Sequence, residues 1–335
     1  MDNTLDIPGM NQTFFSIIIL CWNGNQFIKK CLQSLREQTY NNFEIILIDN
    51  GSPEPVPEWI LDEFPTLNIS FFKFNENLGF ARGNNFGAKE AKGKYLALLN
   101  ADAFPSPTWL EKVKNAIDIY PNHFFGSLLI NANDPDRLDG AGDVYHASGQ
   151  VWRKYYNYKI SDTKLVEKEV FSPCGAAAIY PVEIFREVEG FDSDFFSYVE
   201  DIDLGFRLRL RGYKCILLPD AIVYHVGSGS TKKNSDFSVY YGQRNLEWAF
   251  IKNMPGYLFW VAFPLHLLTN LLTIIVSIFR KQVKITLRAK VDALEKVPLF
   301  LHKREQIQSL RKTSLISIAS VINWNPFALI FKLRK

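Results

Sequence analysis

Three short clusters in this chain carry residue types that can do chemistry. Tyr198-Val199-Glu200-Asp201-Ile202-Asp203 puts three carboxylates within four residues. Like charges so close repel, which leaves one carboxyl with a raised pKa suited to general-base work. Asn100-Ala101-Asp102 closes an apolar run and precedes Pro105. A carboxylate there can hold a divalent cation, whose hard charge prefers oxygen ligands. His225, in a Gly- and Ser-containing stretch, is the type that adds a further ligand to a metal held by Asp102. Each cluster also has a plainer reading. Acids in a first turn and Arg207, Arg209 and Arg211 in a last turn suit a helix dipole. Asp102 suits a cap for a helix opening near Pro107, and His225 a polar loop residue.

A fourth stretch is glycine-rich. Gly79, Gly83 and Gly87 recur every four residues as a loop enters a helix. This is not the G-x-G-x-x-G dinucleotide fingerprint. Small residues at this spacing serve either close approach to a phosphate or ribose, or helix–strand packing.

These residues need a frame, and the hydrophobic pattern supplies one. Apolar runs at 16–20, 44–48, 69–74 and 95–99 read as strands, and 25–38 and 84–91 as helices between them. That alternation predicts an α/β fold with a mainly parallel sheet and helices on both faces. Ligands in such sheets bind beyond the carboxyl ends of the strands. Trp22 and Asn23, then Asp49-Asn50-Gly51-Ser52, then Asn100-Ala101-Asp102 follow three of those ends. Residues 198–212 read as an amphipathic helix ending at Gly212, and 215–218 as another strand.

With 335 residues, 47% of them hydrophobic and 22% charged, the chain can bury a full core and is not globally disordered. Cys21, Cys31, Cys174 and Cys215 form no C-x-x-C pair, which argues against a structural zinc site or disulfide framework. Residues 1–12 lack the basic region of a secretory signal. The overall charge of +3 hides an asymmetry: residues 280–335 hold 13 Lys and Arg against 3 Asp and Glu. A basic tail on an acidic body predicts an anionic surface as partner. Aromatic residues of the kind that stack on bases are sparse there, so nucleic acid is the lesser candidate. Residues 257–279 contain no charge and reach the length of a bilayer span, with Pro264, His266 and Asn270 inside and basic residues on both flanks. The expectation is a segment lying in or dipping into a membrane. A single crossing and a buried helical hairpin are the alternatives. Residues 314–331, broken at Asn325-Pro326, form a second charge-free stretch.

In order along residues 14–230, the chain resembles family 2 of the inverting glycosyltransferases, which have a GT-A fold. The pieces are S-I-I-I-L-C-W-N (16–23), I-L-I-D-N-G-S (46–52), N-L-G-F-A-R-G-N-N-F-G (77–87), L-L-N-A-D-A-F-P (98–105), C-G-A-A-A-I-Y (174–180) and the run 190–213. D-G-A-G-D-V-Y (139–145), Y-H-V-G-S-G-S (224–230) and R-N-L-E-W-A-F-I-K-N-M-P (244–255) resemble the rhamnosyltransferase-type branch, which builds bacterial surface polysaccharide. The resemblance implies a GT-A catalytic domain over 14–235 and a helical, basic, membrane-associating region over 236–335. It implies a nucleotide-sugar donor (dTDP- or UDP-linked, dTDP-rhamnose in this branch), a glycan or lipid-linked acceptor, and Mg2+ or Mn2+. The expected localisation is the cytoplasmic face of the bacterial cell membrane. By position, Trp22, Asn23, Asp49, Asn77, Gly79, Arg82, Asn84, Asn100 and Asp102 would bind the nucleotide-sugar. Asp102 and His225 would hold the metal, and Asp201, next to Glu200, would be the base. Asn100 stands where the family's metal motif has its first Asp. Pro53-Glu54 stands where a second Asp usually follows D-N-G-S. A polyprenyl-phosphate glycosyltransferase and a non-catalytic nucleotide-sugar or polysaccharide-complex binding protein are the rival readings.

Overall fold

The structure is a computed structural model that describes residues 13–227 and 235–329. The expectation for residues 1–12, the 228–230 end of one motif, and the last basic residues, 332–335, lie outside the described residues.

In chain order the elements are β1 (Phe15–Cys21), α1 (Asn25–Arg36), β2 (Phe43–Asp49), β3 (Ile69–Lys73), α2 (Gly79–Glu90), β4 (Tyr95–Asn100), β5 (Ala103–Pro105), α3 (Trp109–Ile119) and β6 (Phe124–Asn131). Then come β7 (Leu138–Gly140), β8 (Asp143–Tyr145), β9 (Val151–Arg153), β10 (Lys168–Val170), β11 (Ala177–Pro181), α4 (Val182–Glu187), α5 (Glu200–Leu210) and β12 (Cys215–His225). Five helices follow: α6 (Asp236–Asn253), α7 (Gly256–Phe279), α8 (Val283–Glu295), α9 (Val297–Ser309) and α10 (Leu315–Val321).

The main sheet runs β10-β12-β6-β11-β4-β1-β2-β3. The half β4-β1-β2-β3 is parallel throughout, and β11 enters antiparallel between β4 and β6. Successive residues of a strand point to opposite faces, and β1 shows the consequence. Ile17 and Ile19 pack with Ile28 and Leu32 of α1 and Trp109 of α3, while Ile18 packs with Ala81 of α2 and Phe185 of α4. Helices therefore cover both faces.

Three elements differ from the sequence reading. First, α2 begins at Gly79, earlier than residue 84, because the Asn77 side chain accepts a hydrogen bond from the Gly79 amide (2.8 Å) and closes the turn. Second, β12 continues to His225, since a bulge between Leu218 and Ile222 absorbs the Pro219-Asp220 break in the apolar pattern. Third, α5 is not amphipathic: every residue of Glu200–Leu210 except Asp201 is buried. Its arginines are internal. Arg209 donates to the Phe171 carbonyl (2.6 Å) and pairs with Glu169 (2.6 Å), and Arg207 pairs with Asp203 (2.8 Å). The Arg207 partner is local, four residues back in the same helix, whereas the Arg209 partners come from a distant segment and leave no signal in the local pattern.

Helices α6–α10 do not form a separate core. Trp248 and Phe250 of α6, Phe300 of α9 and Ile318 of α10 share one apolar cluster with Tyr145, Phe195 and Phe206. The tail's charge is also partly spent internally. Lys290 pairs with Glu247, Lys303 with Asp192 and Asp194, and Lys312 with Glu187.

Candidate active site

A cleft of about 470 Å³ opens beyond the carboxyl ends of β1 and β4. One wall is Trp22, Asn50, Asn77 and Gly79; another is Asn100, Asp102 and His225; the far wall is Asp143, Trp152, Arg153, Tyr198, Glu200 and Asp201.

The glycines divide by role. Gly79 lines the cleft at φ +78°, where a Cβ would stand 2.5 Å from the Phe196 carbonyl oxygen. A Cβ at Gly83 would meet Leu20, and one at Gly87 would meet Ile18. Those two are helix–strand packing positions. Other expected nucleotide-binding residues stand back from the cleft. Asp49, fully buried, accepts hydrogen bonds from the amides of Ser52 (3.0 Å) and Val56 (2.9 Å), so it shapes the loop after β2. Asn84 donates to the Phe80 carbonyl (2.9 Å) inside α2, and Arg82 and Asn23 are exposed. Asn50 bonds Asn77 (3.0 Å) and tethers that loop to the start of α2.

On the second wall, Asp102 and His225 meet although 122 residues separate them. The strand pairing of β12 with β5 brings His225 opposite Ala103. His225 Nε2 is 3.3 Å from Asp102 Oδ1 and 3.4 Å from the Asn100 side-chain nitrogen Nδ2. Its Nδ1 lies 2.8 Å from Asp139 Oδ2, and Arg153 bonds that same carboxylate. Burial lowers the His225 pKa, but hydrogen bonds to Asp102 and Asp139 outweigh it and hold the pKa above its ordinary value.

This donor set fits a small divalent cation. Two ligands of one such ion, each about 2.1 Å away, stand about 3 Å apart when adjacent; Asp102 and His225 have that spacing. Asp139 supplies the carboxylate behind the imidazole that typically orients a metal-bound histidine. Among the described residues no group of three or more His, Cys, Asp or Glu is arranged to hold an ion alone. The remaining ligands would come from a bound molecule in the cleft and from water.

On the far wall Asp201 Oδ2 accepts from the Gly175 amide (2.9 Å) and Oδ1 from the Ile202 amide (2.8 Å). Each oxygen keeps a lone pair for a proton. Burial raises the Asp201 pKa against those two amides. Burial and then the Asp201 charge raise Glu200 well above the usual carboxylate range, and its Oε2 has no hydrogen-bond partner. Asp143 is raised by burial and then by the Asp201 charge, with Arg153 opposing. Sequence reasoning gave no role to Asp139, Asp143 or Arg153. The signal for the first two was D-G-A-G-D (139–143), two carboxylates framing a turn.

The model for "Glycosyl transferase family 2" matches residues 16–189, just over half of the chain. This chain belongs to glycosyl transferase family 2. It is 26% identical over 277 residues to a Methanococcus voltae dolichyl N-acetyl-alpha-D-glucosaminyl phosphate 3-beta-D-2,3-diacetamido-2,3-dideoxy-beta-D-glucuronosyltransferase, covering 79% of this chain and 82% of that one. It is 23% identical over 249 residues to a Mycobacterium tuberculosis N-acetylglucosaminyl-diphospho-decaprenol L-rhamnosyltransferase, covering 65% and 78%. An uncharacterised Haemophilus influenzae glycosyltransferase is 35% identical over 105 residues, 31% of this chain, which spans 32% of that relative's length. Among solved structures, GalNAc-T7 with UDP, GalNAc and Mn2+ superposes with a TM-score of 0.58 at 20% identity, over 74% of this chain and 49% of that one. The family member in hand has the GT-A fold, with a helical C-terminal region that includes one apolar helix of membrane-spanning length among the described residues.

Proposed function

We propose that this family 2 member moves a sugar from a nucleotide-diphosphate donor to a hydroxyl of a glycan or lipid-linked acceptor, with inversion, at the cytoplasmic face of a bacterial cell membrane. The carrying observation is that one cleft holds both the Asp102–His225 pair and the Glu200–Asp201 pair. Trp22, Asn77 and Gly79 would line the nucleotide's side, and Asp102 with His225 would hold Mg2+ or Mn2+ at the diphosphate. A cation held by these residues would offset the negative charge that grows on the leaving diphosphate. Asp201 would take the acceptor hydroxyl's proton as its oxygen bonds the anomeric carbon and the bond to the diphosphate breaks. One base and one displacement invert the anomeric centre. The name of the Mycobacterium tuberculosis relative supports L-rhamnose as the sugar moved, and the branch resemblance suggests dTDP-rhamnose as its donor. The names of both long-range relatives, with their dolichyl and decaprenol groups, support a lipid-linked acceptor.

Helix α7 supports the membrane placement. Its outer face is apolar and bare, with Trp260 69% and Phe279 82% exposed. Its inner face is polar and held: His266 contacts Glu247 and the Ser148 carbonyl (both 2.8 Å), and Asn270 bonds Glu247 and Lys290. Crossing the bilayer would carry those groups away from their partners into hydrocarbon. A helix lying in the interface keeps both faces satisfied. Exposed Lys281, Lys284 and Arg288 flank it for anionic headgroups.

The test is a panel of nucleotide-sugars with Mn2+, Mg2+ or EDTA, read as donor hydrolysis and as transfer to polyprenyl-diphosphate-linked sugars. Metal-dependent turnover of dTDP-rhamnose is the expected result. Turnover onto a polyprenyl phosphate itself would favour the first rival. Nucleotide binding with no turnover of any donor would leave a binding protein.

A further inference from the structure

Asp201 enters the cleft at the end of an unusual stretch of backbone. Phe196, Tyr198 and Val199 have φ of 64°, 67° and 72°. Non-glycine residues seldom adopt this region, and a β-branched valine there is an outlier. Such a stretch persists only where its surroundings over-determine it, and it tends to mark a functional site.

At the centre of those surroundings is one side chain of α6. Asn245 is fully buried. Its amide nitrogen stands 2.8 Å from the Phe195 carbonyl oxygen, 2.9 Å from that of Ser197 and 2.7 Å from that of Tyr198. Arg244 adds bonds to the carbonyls of Asp194 (3.1 Å) and Phe195 (3.2 Å). The same segment touches both sides of the cleft. The Phe196 carbonyl accepts from the Ala81 amide (3.1 Å) in α2, and the Val199 carbonyl accepts from the Asp203 amide (2.9 Å) in α5. Three carbonyls converging on one point repel one another unless a donor stands between them. An amide –NH2 with two hydrogens meets that need, and a carboxylate or hydrocarbon does not.

We infer that Asn245 is a positioning residue: its amide clamps residues 195–199 in the strained form that aims Glu200 and Asp201 into the cleft. The inference rests on reading Asp201 as the base, yet the clamp can be tested apart from that reading. Asn245→Asp keeps the shape and replaces the donor with a fourth acceptor. Amide hydrogen exchange over 195–201 should quicken about tenfold or more, as a local opening, with β1–β4 unchanged. Affinity for UDP or dTDP in the presence of Mn2+ should stay within about twofold, while kcat on a working donor falls about 100-fold, the scale of a misplaced group. A purely structural role would instead lower nucleotide affinity and raise exchange throughout. That result, or unchanged exchange at 195–201, would overturn the clamp. Should Asn245→Asp fail to fold, Arg244→Gln removes the bond that holds the Asn245 side-chain oxygen (3.0 Å) together with those to the Asp194 and Phe195 carbonyls; with its amide no longer oriented the clamp requires a smaller exchange rise confined to the same residues, and none there would overturn it. A wild-type protein inactive on every donor, whose variant still shows the local rise, keeps the clamp and removes the transferase reading.

Discussion

Replacing Lys252 with methionine should cost about 3 kcal/mol of stability. Lys252 is 1% exposed, and its ammonium bridges Asp192 (2.6 Å) and Asp203 (2.7 Å), tying α6 to α5 and to the loop before it. Methionine keeps most of the stem's packing, so the loss is mainly electrostatic. Breaking a buried pair from one side costs about 3–5 kcal/mol. The lower figure applies because each carboxylate keeps a second charged partner: Asp203 retains Arg207 (2.8 Å), and Asp192 retains Lys303 (2.6 Å). Burial raises the Asp192 pKa, but Lys252 and Lys303 more than offset it, so it stands below its ordinary value. A carboxyl depressed in the folded state stabilises above its unfolded pKa of about 4 and loses that contribution as pH falls through the folded value. With Lys252 gone the depression shrinks, so the acid loss from Asp192 still begins near the unfolded pKa but is smaller and is complete at a higher pH than in the wild type. The assay is urea unfolding followed by tryptophan fluorescence at neutral pH and along an acid series. A loss under about 1 kcal/mol, the scale of an exposed pair, with an unmoved acid limb would refute the reasoning.

Three further outcomes follow from the same geometry. Asp201→Asn should lower transfer by about 10²–10⁴-fold with nucleotide affinity unchanged; because burial raises the Asp201 pKa, the wild-type rate should fall on acidification at a pH above the ordinary 3.8. Retained turnover in that variant, with loss in Glu200→Gln or Asp203→Asn, would reassign the base. Asp102→Ala and His225→Ala should each remove the Mn2+-dependent part of UDP or dTDP affinity in calorimetric titration, and Asp139→Asn should weaken it by about 10–100-fold; equal wild-type affinity in Mn2+ and in EDTA would end the metal role. The full chain should sediment with phosphatidylglycerol vesicles but not with phosphatidylcholine ones, and high salt should weaken that binding; no affinity for either would return α7 to a protein-covered helix, and protease protection of its far end would make it a crossing.

What the sequence determined by itself is local and periodic. Apolar runs of strand length, helical stripes such as Ile28-Cys31-Leu32-Leu35, and the polar residues just beyond each run are set by neighbours within a few positions. They placed Trp22, Asn100 and Asp102 at one sheet edge, and the ordered motifs pointed to the GT-A fold. The acids of residues 200–203 and the apolar length of α7 were legible for the same reason. What the tertiary structure decided is which distant groups meet. His225 reaches Asp102 only because β12 crosses the sheet past its bulge and pairs with β5, and Asp139 stands behind it through β7 beside β6. Asn245 and Lys252 read as ordinary helix residues until α6 packs on α5. The charge of the tail looked like one patch, yet Lys290, Lys303 and Lys312 each face a carboxylate from elsewhere in the chain. Coulomb and hydrogen-bond energies act over a few ångströms of space, whatever the distance along the chain, so pairings of this kind exist only once the strands and helices have been stacked.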